Sequence, residues 1–167
     1  MTQLWNNFWL KEAPPHALAI VRICLGLFLL VYASTYALHI TLLFSNEGLT
    51  LPLYFAAPSP TTAYLMYAVS ILMLLGFTVG AYFRVCAVAC FFLGLCFWQL
   101  QLHMFPSSYN RILCFTLLVL MCSGANKTFS YDTKRTLGSW TAWEPTSVLA
   151  GRLICMQISL TFIGVSL

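Results

Sequence analysis

Residues 17–33 read ALAIVRICLGLFLLVYA, and Arg22 is the single charged side chain in the run. A hydrocarbon core about 30 Å thick needs roughly 20 apolar residues of helix to cross it. Apolar character continues beyond both ends of the run, so we predict a first membrane-spanning helix over residues 16–44. The segment is apolar on every side instead of along one stripe, which favours lipid as its surroundings.

Four further apolar segments follow the first one, separated by prolines, glycines or charges. We predict helices over residues 62–82, 85–102, 112–123 and 147–167. The prolines at 52, 58 and 60 cannot continue a helix, and Arg84 marks a tight turn between the second and third spans. The sequence therefore predicts an all-α, polytopic membrane helix bundle of about five transmembrane helices, forming one domain over residues 1–167.

Composition supports a membrane protein and argues against a soluble one. Apolar residues make up 60% of the 167, charged residues 7%, and the mean hydropathy is +0.85. Soluble domains carry about a quarter charged residues, so these ions are too few to form a surface that faces water. The net charge of +4 comes without a basic run interleaved with aromatics, which argues against nucleic acid as a partner. The predicted partner is the lipid bilayer.

The positive charges predict the orientation of the chain. If the N-terminus is cytoplasmic, most cations fall at the inner side, as the positive-inside tendency requires. Arg111 then falls outside, and Arg22 lies within the first span. The inner cations are Lys11, Arg84, Lys127, Lys134, Arg135 and Arg152, and the tryptophans placed at the inner interface are Trp5, Trp9, Trp140 and Trp143.

Arg22 is the first candidate for a ligand-binding residue. An unpaired guanidinium at this depth costs at least ~2.5 kcal/mol, so it must reach the headgroups or find a carbonyl or polar partner inside the bundle. Two interpretations stay open. Arg22 holds an anionic or carbonyl group of a ligand, or its long stem carries the charge to the inner interface.

His39, His103 and Arg111 are the other candidates, because the predicted topology places all three on the outer side. A pair of histidines on facing helices ligates haem or a metal, and a single histidine ligates the magnesium of a chlorophyll. The alternative is a histidine bonded to headgroups or loop carbonyls, since no third ligand or carboxylate accompanies them. Haem, chlorophyll and quinone stay open as cofactors. The seven cysteines contain no CxxC pair, so we expect packing residues and no metal site.

Several short motifs resemble a known family. Residues 19–26 read AIVRICLG, residues 43–48 read LFSNEG with Pro52 after them, and residues 129–132 read FSYD. With Arg152 and Gly164 in the last span, this order resembles the HTTM (horizontally transferred transmembrane) domain, the membrane portion shared with vitamin K-dependent γ-carboxylase. The resemblance covers nearly the whole chain and implies a membrane helix bundle.

The resemblance also implies what a catalytic member requires. In the carboxylases a lysine directly after the glycine of the fifth helix is the proposed base, and a large lumenal domain binds the substrate. Residues 164–167 read GVSL, and residues 106–110 read PSSYN where the family carries an Asn-Gly stretch. With neither the lysine nor the lumenal domain present, we expect no carboxylase or epoxidase activity.

Two classes of function follow. The first is a non-catalytic accessory or structural subunit of a larger membrane complex, in contact with lipid, quinone or pigment. The second is a membrane enzyme, or the remnant of one, acting on a quinone-like or lipid substrate with Arg22 near its site. The missing catalytic groups favour the first class.

Overall fold

The computed structural model describes residues 5, 8–50, 56–101 and 108–166, and these residues are mainly helical. The predicted helical fold is confirmed. In chain order the elements are β1 (Glu12–Ala13), α1 (His16–Ser34), α2 (Ile40–Phe44), α3 (Pro60–Val79), α4 (Phe83–Gln101), α5 (Ser108–Met121), α6 (Tyr131–Leu137), β2 (Thr146–Ser147) and α7 (Leu149–Ser166). The two short strands pair antiparallel, with Glu12 opposite Ser147 and Ala13 opposite Thr146.

Three helices of the described part are long and apolar enough to cross a membrane. They are α1, α3 and the portion Phe83–Leu100 of α4. Two shorter apolar stretches, Asn110–Met121 in α5 and Leu149–Ile163 in α7, accompany them. The structure is therefore compatible with a membrane location, and the number of crossings stays a prediction.

The first predicted span differs from the structure because the helix breaks in its second half. The hydroxyls of Ser34 and Thr35 donate to the carbonyls of Val31 (2.6 Å) and Tyr32 (2.7 Å), in competition with the helical backbone. The chain then turns and resumes as α2. The prediction of a single helix over residues 16–44 is therefore wrong. Hydropathy did not reveal the break because it is equally high on both sides of it.

Other boundaries follow from local capping. The α3 helix begins at Pro60, ahead of the predicted residue 62, because the Ser59 hydroxyl accepts the backbone N–H of Thr62 at 3.4 Å and proline suits a first helical turn. The α4 helix begins at Phe83, α5 runs over Ser108–Met121 and α7 begins at Leu149, each shifted from its predicted bounds. The α6 helix lies in a segment predicted as loop.

The long helices pack as an up-and-down bundle in which chain neighbours are also spatial neighbours. The α3 helix contacts α1 and α4, and α5 contacts α4 and α7. Where Gly26 of α1 faces α3, a Cβ added to Gly26 would collide with the side chain of Thr78. Small residues allow such contact between membrane helices.

The bundle has two ends of different character. The Arg22 end contains the start of α1, the turn between α3 and α4, and residues 122–148. The opposite end borders a cavity between the helices and is called the cavity end. It contains the end of α1, the α2 helix, the start of α3 and the end of α4. Phe77, Phe83 and Leu120 are buried in the core near the first, and Ile40, Phe44 and Leu100 are buried near the second.

Candidate functional site

Arg22 is fully buried and bound by backbone carbonyls from the far part of the chain. Its Nη1 donates to the carbonyl of Ala125 at 2.7 Å, and its Nη2 donates to the carbonyl of Phe129 at 2.5 Å. The guanidinium carbon also lies 5.9 Å from the centre of the Phe83 ring. Two of the three nitrogens of Arg22 thus bind the protein itself, and among the described residues Nε has no hydrogen-bond partner.

The segment that supplies these carbonyls is held in shape by its own hydroxyl groups. Ser130 caps α6 by accepting the backbone N–H of Thr133 at 3.0 Å. The hydroxyls of Ser130 and Thr133 also donate to the carbonyl of Asn126, each at 2.6 Å. Two side chains that converge on one carbonyl fold the loop over Arg22, which fixes the direction of the carbonyls that receive its charge.

Asp132 ties this loop to the turn between α3 and α4. Its carboxylate accepts the backbone N–H groups of Tyr82 (2.9 Å) and Phe83 (3.0 Å), and its own N–H donates to the carbonyl of Gly80 at 3.1 Å. Carboxylate–amide bonds of this kind are among the stronger hydrogen bonds. The turn, the loop and Arg22 therefore form one cross-linked unit.

Gly80 stands at the centre of that unit. It has φ +74°, a left-handed conformation that glycine adopts readily, and it terminates α3. A Cβ at this position would lie 2.5 Å from the Cβ of Ser130 and 2.9 Å from Nη1 of Arg22. Any larger residue at 80 would therefore push against the loop and the guanidinium together.

The other three predicted ligand residues do not converge on Arg22. His39 is exposed in the turn before α2 at the cavity end, and Arg111 is exposed near the start of α5. His103 lies outside the described residues. Since Arg22 sits at the opposite end of the bundle, the structure divides the predicted set between two places.

A cavity of about 120 Å³ lies between α1, α3, α4 and α5. Its wall combines aromatic rings near the cavity end with aliphatic side chains deeper in the bundle. From Phe97 to Cys90 on α4 the wall extends about 10 Å, at 1.5 Å per residue. The lining residues include Tyr32, Tyr36, Tyr67, Ser70, Leu74, Cys90, Gly94, Phe97, Trp98, Asn110 and Leu117.

Polar atoms of the lining are concentrated in hydroxyl and indole groups. The Tyr36 hydroxyl donates to that of Tyr32 at 2.7 Å, and the Tyr67 hydroxyl donates to the carbonyl of Ala33 at 3.0 Å. The Tyr32 proton has no acceptor within the described ranges. The indole Nε1 of Trp98 is buried and likewise has no partner there. The cavity therefore has hydrogen-bond donors to offer beside an apolar wall.

The lining contains few side chains that titrate. Its titratable side chains are tyrosines and cysteines, and none of the described lining residues is Asp, Glu, His, Lys or Arg. General acid–base catalysis near neutral pH most often uses His or a carboxylate. Cys86 and Cys90 are both buried, but nowhere in the described ranges do three His, Cys, Asp or Glu side chains gather in a metal-binding cluster.

Sequence reasoning selected Arg22 but missed the cavity. The available signal was the placement of Tyr32 and Tyr36 four residues apart on an otherwise apolar span, which puts two hydroxyls on one helix face. The chain matches no family model, no curated protein and no solved structure.

Proposed function

We propose that this chain is a multi-pass integral membrane protein that acts as a non-catalytic, lipid-binding subunit. The cavity between its helices is the observation that carries the proposal. Its aliphatic depth suits a hydrocarbon chain, and its aromatic mouth with Tyr32 and Trp98 suits an acceptor oxygen at the end of that chain. The predicted HTTM relationship remains part of this proposal.

The dimensions of the cavity restrict the ligand. A buried apolar cavity of about 150 Å³ accommodates benzene, so the 120 Å³ here fits a single ring or a short stretch of chain. The wall of the cavity is about 10 Å long at 1.5 Å per residue, which favours a stretch of hydrocarbon chain over a single ring. A haem or chlorophyll macrocycle is much larger, so the proposal does not place either pigment in this cavity.

The nature of the buried charge supports a binding role. An Arg22 that binds two backbone carbonyls is engaged in holding the fold and does not face the cavity lining. The stretch 164–167 also has no lysine in the position that the family resemblance implies for a base. Arg22 is therefore not free to transfer a proton, and residues 164–167 offer no lysine for the base that the resemblance to the carboxylases implies.

A membrane enzyme acting on a quinone-like or lipid substrate is the second candidate. The observation in its favour is the Tyr36–Tyr32 hydroxyl pair, which offers a donor to a carbonyl oxygen of a bound ring. Turnover of a quinone by purified protein, lost in Tyr32→Phe with normal assembly, would favour this candidate over the first.

Cavity filling tests the lipid-binding role. Gly94 lines the cavity, and a Cβ added to it meets nothing within 4 Å, so Gly94→Leu occupies the space without a collision at its base. Val88 on the same helix is exposed and outside the lining, which makes Val88→Leu the matched control. Wild type and Val88→Leu, purified in mild detergent, should carry a co-purifying lipid in mass spectrometry, and Gly94→Leu should carry much less.

Two outcomes would contradict the proposal. Wild-type protein free of bound lipid after mild extraction would remove its basis, and equal lipid content in both variants would place the ligand elsewhere. Native electrophoresis of the same samples tests the subunit assignment, since migration solely as a free monomer contradicts it. Release of the chain from membranes by alkaline carbonate would contradict the membrane assignment.

A further inference from the structure

The charges of the molecule are distributed unequally between its ends. Six of the eight Lys and Arg residues lie at the Arg22 end outside the buried Arg22 itself, together with three of the four acids. At the other end Arg111 and Glu47 cancel. With Arg22 left out, this end carries a net charge of +3, from Lys11, Arg84, Lys127, Lys134, Arg135 and Arg152 against Glu12, Asp132 and Glu144.

Two of those three acids are engaged within the protein. The carboxylate of Asp132 accepts two backbone N–H groups of the turn between α3 and α4. Glu144 lies 3.7 Å from the ammonium of Lys127. The cations of α6, Lys134 and Arg135, are exposed and form no ion pair with another described residue. Their charge is therefore available to a partner outside the chain.

Aromatic rings accompany these two cations. The Lys134 ammonium lies 5.1 Å from the centre of the Trp140 ring, and the Arg135 guanidinium carbon lies 6.0 Å from that of Tyr82. Nη1 of Arg135 also donates to the Tyr82 hydroxyl at 3.3 Å. Both rings are exposed. Basic groups beside exposed aromatic rings are typical of surfaces that lie in the headgroup region of a bilayer.

We propose that this basic face, formed by Lys134 and Arg135 of α6 with Tyr82 and Trp140, binds the phosphate headgroups of anionic phospholipids. The inference rests on the proposed membrane crossing, which places the end of α3 and the start of α4 at headgroup depth. The α6 helix is anchored by Asp132 to the turn that joins them, so its cations are held at that depth. Each Lys or Arg near an anionic surface strengthens binding about fivefold.

Relative lipid affinity tests this proposal with the full chain. The protein is reconstituted in phosphatidylcholine containing brominated phosphatidylglycerol or, in parallel, brominated phosphatidylcholine, and quenching of tryptophan fluorescence measures which lipid is in contact. We expect wild type to prefer phosphatidylglycerol severalfold at low salt, and less at high salt because of screening. The double variant Lys134→Gln/Arg135→Gln should lose most of that preference.

Arg111→Gln is the matched control, since it removes one exposed cation from the opposite end and should leave the preference unchanged. Equal quenching by both lipids in wild type, or an unchanged preference in the double variant, would overturn the inference. Protein that inserts, keeps its cavity lipid and shows no preference contradicts the basic face alone. Failure to insert into either bilayer overturns the membrane assignment and this inference together.

Discussion

The Arg22 end and the cavity end of the bundle are held together by different forces. At the Arg22 end, three segments distant in sequence are joined by a guanidinium, a carboxylate and backbone groups. At the cavity end, aromatic rings meet edge to face, such as Phe44 and Phe97 with centres 4.7 Å apart, and a cavity of about 120 Å³ remains. Hydrogen bonds to charged side chains join distant segments at the first end, whereas aromatic packing predominates at the second, beside the hydroxyl bonds of Tyr32, Tyr36 and Tyr67.

The difference shows where such a bundle tolerates change. Hydrogen bonds to charged groups are lost abruptly when a partner is displaced, and a buried group left without one is costly. Apolar contacts around an existing void can rearrange, so substitutions there cost less or fill space. We therefore expect large, destabilising effects at the Arg22 end and small effects, some of opposite sign, near the cavity.

Removal of the buried charge should have the largest effect. Arg22→Leu leaves the carbonyls of Ala125 and Phe129 without their donor, and each buried acceptor left without a partner costs about 1–3 kcal/mol. Thermal unfolding in detergent, followed with a thiol-reactive dye, measures the loss. Arg22→Lys keeps the charge without the planar fork, and its unfolding temperature should lie between those of wild type and Arg22→Leu. Melting of Arg22→Leu at the wild-type temperature would contradict the role assigned to this end.

A pair of glycines separates backbone strain from the crowding around Arg22. Gly80 and Gly138 both end helices with φ near +75° (+74° and +75°), so alanine at either should cost about 1–2 kcal/mol for the left-handed conformation. Gly80→Ala should cost about 1–3 kcal/mol more, because its Cβ is crowded by Ser130 and Arg22. Gly138→Ala should not have this additional cost, because nothing lies within 4 Å of a Cβ at 138. Equal unfolding temperatures for the two variants would mean that the loop yields freely.

Neutralising the carboxylate at the turn should have an intermediate effect. Asp132→Asn retains one acceptor for the N–H groups of Tyr82 and Phe83, and weakening such charge-assisted bonds costs about 1–2 kcal/mol. Glu47→Gln, at an exposed acid of the cavity end, serves as the control and should stay within about 0.5 kcal/mol of wild type. A larger loss in Glu47→Gln than in Asp132→Asn would reverse the comparison between the ends.

Gly94→Ala should produce the smallest change, with the opposite sign. Alanine favours the helix over glycine by about 0.5–1 kcal/mol, and open space surrounds a Cβ at this position. The variant should therefore unfold at a slightly higher temperature than wild type in the same assay. A clear decrease would show that the space around Gly94 is needed by another group.

The helices were predictable because apolar runs of sufficient length require little else. Hydropathy located α1, α3 and α4, and the prolines at 52, 58 and 60 and Arg84 marked the intervals between them. Hydropathy could not locate the break between α1 and α2, because Ser34 and Thr35 act through bonds to their own backbone. The short α6 helix was missed because it is capped by Ser130 and Gly138 within a segment of mixed polarity.

The two candidate regions were predictable to different degrees. A charge inside an apolar span drew attention to Arg22, but its partners are carbonyls, which every residue carries and no residue type reveals. The cavity depends on how four helices are spaced, and that spacing is set by contacts such as Gly26 against Thr78. The number of five transmembrane helices and the cytoplasmic position of the N-terminus stay predictions.

The distance along the chain between Arg22 and its carbonyl partners has a consequence for biosynthesis. The partners Ala125 and Phe129 follow Arg22 by 103 and 107 residues. At about 5–20 residues per second, a ribosome needs roughly 5–20 s to complete that interval. During this time the guanidinium of Arg22 has no carbonyl partner from the later loop, so under the proposed membrane insertion the nascent chain depends on the insertion machinery or on lipid phosphates to stabilise the charge.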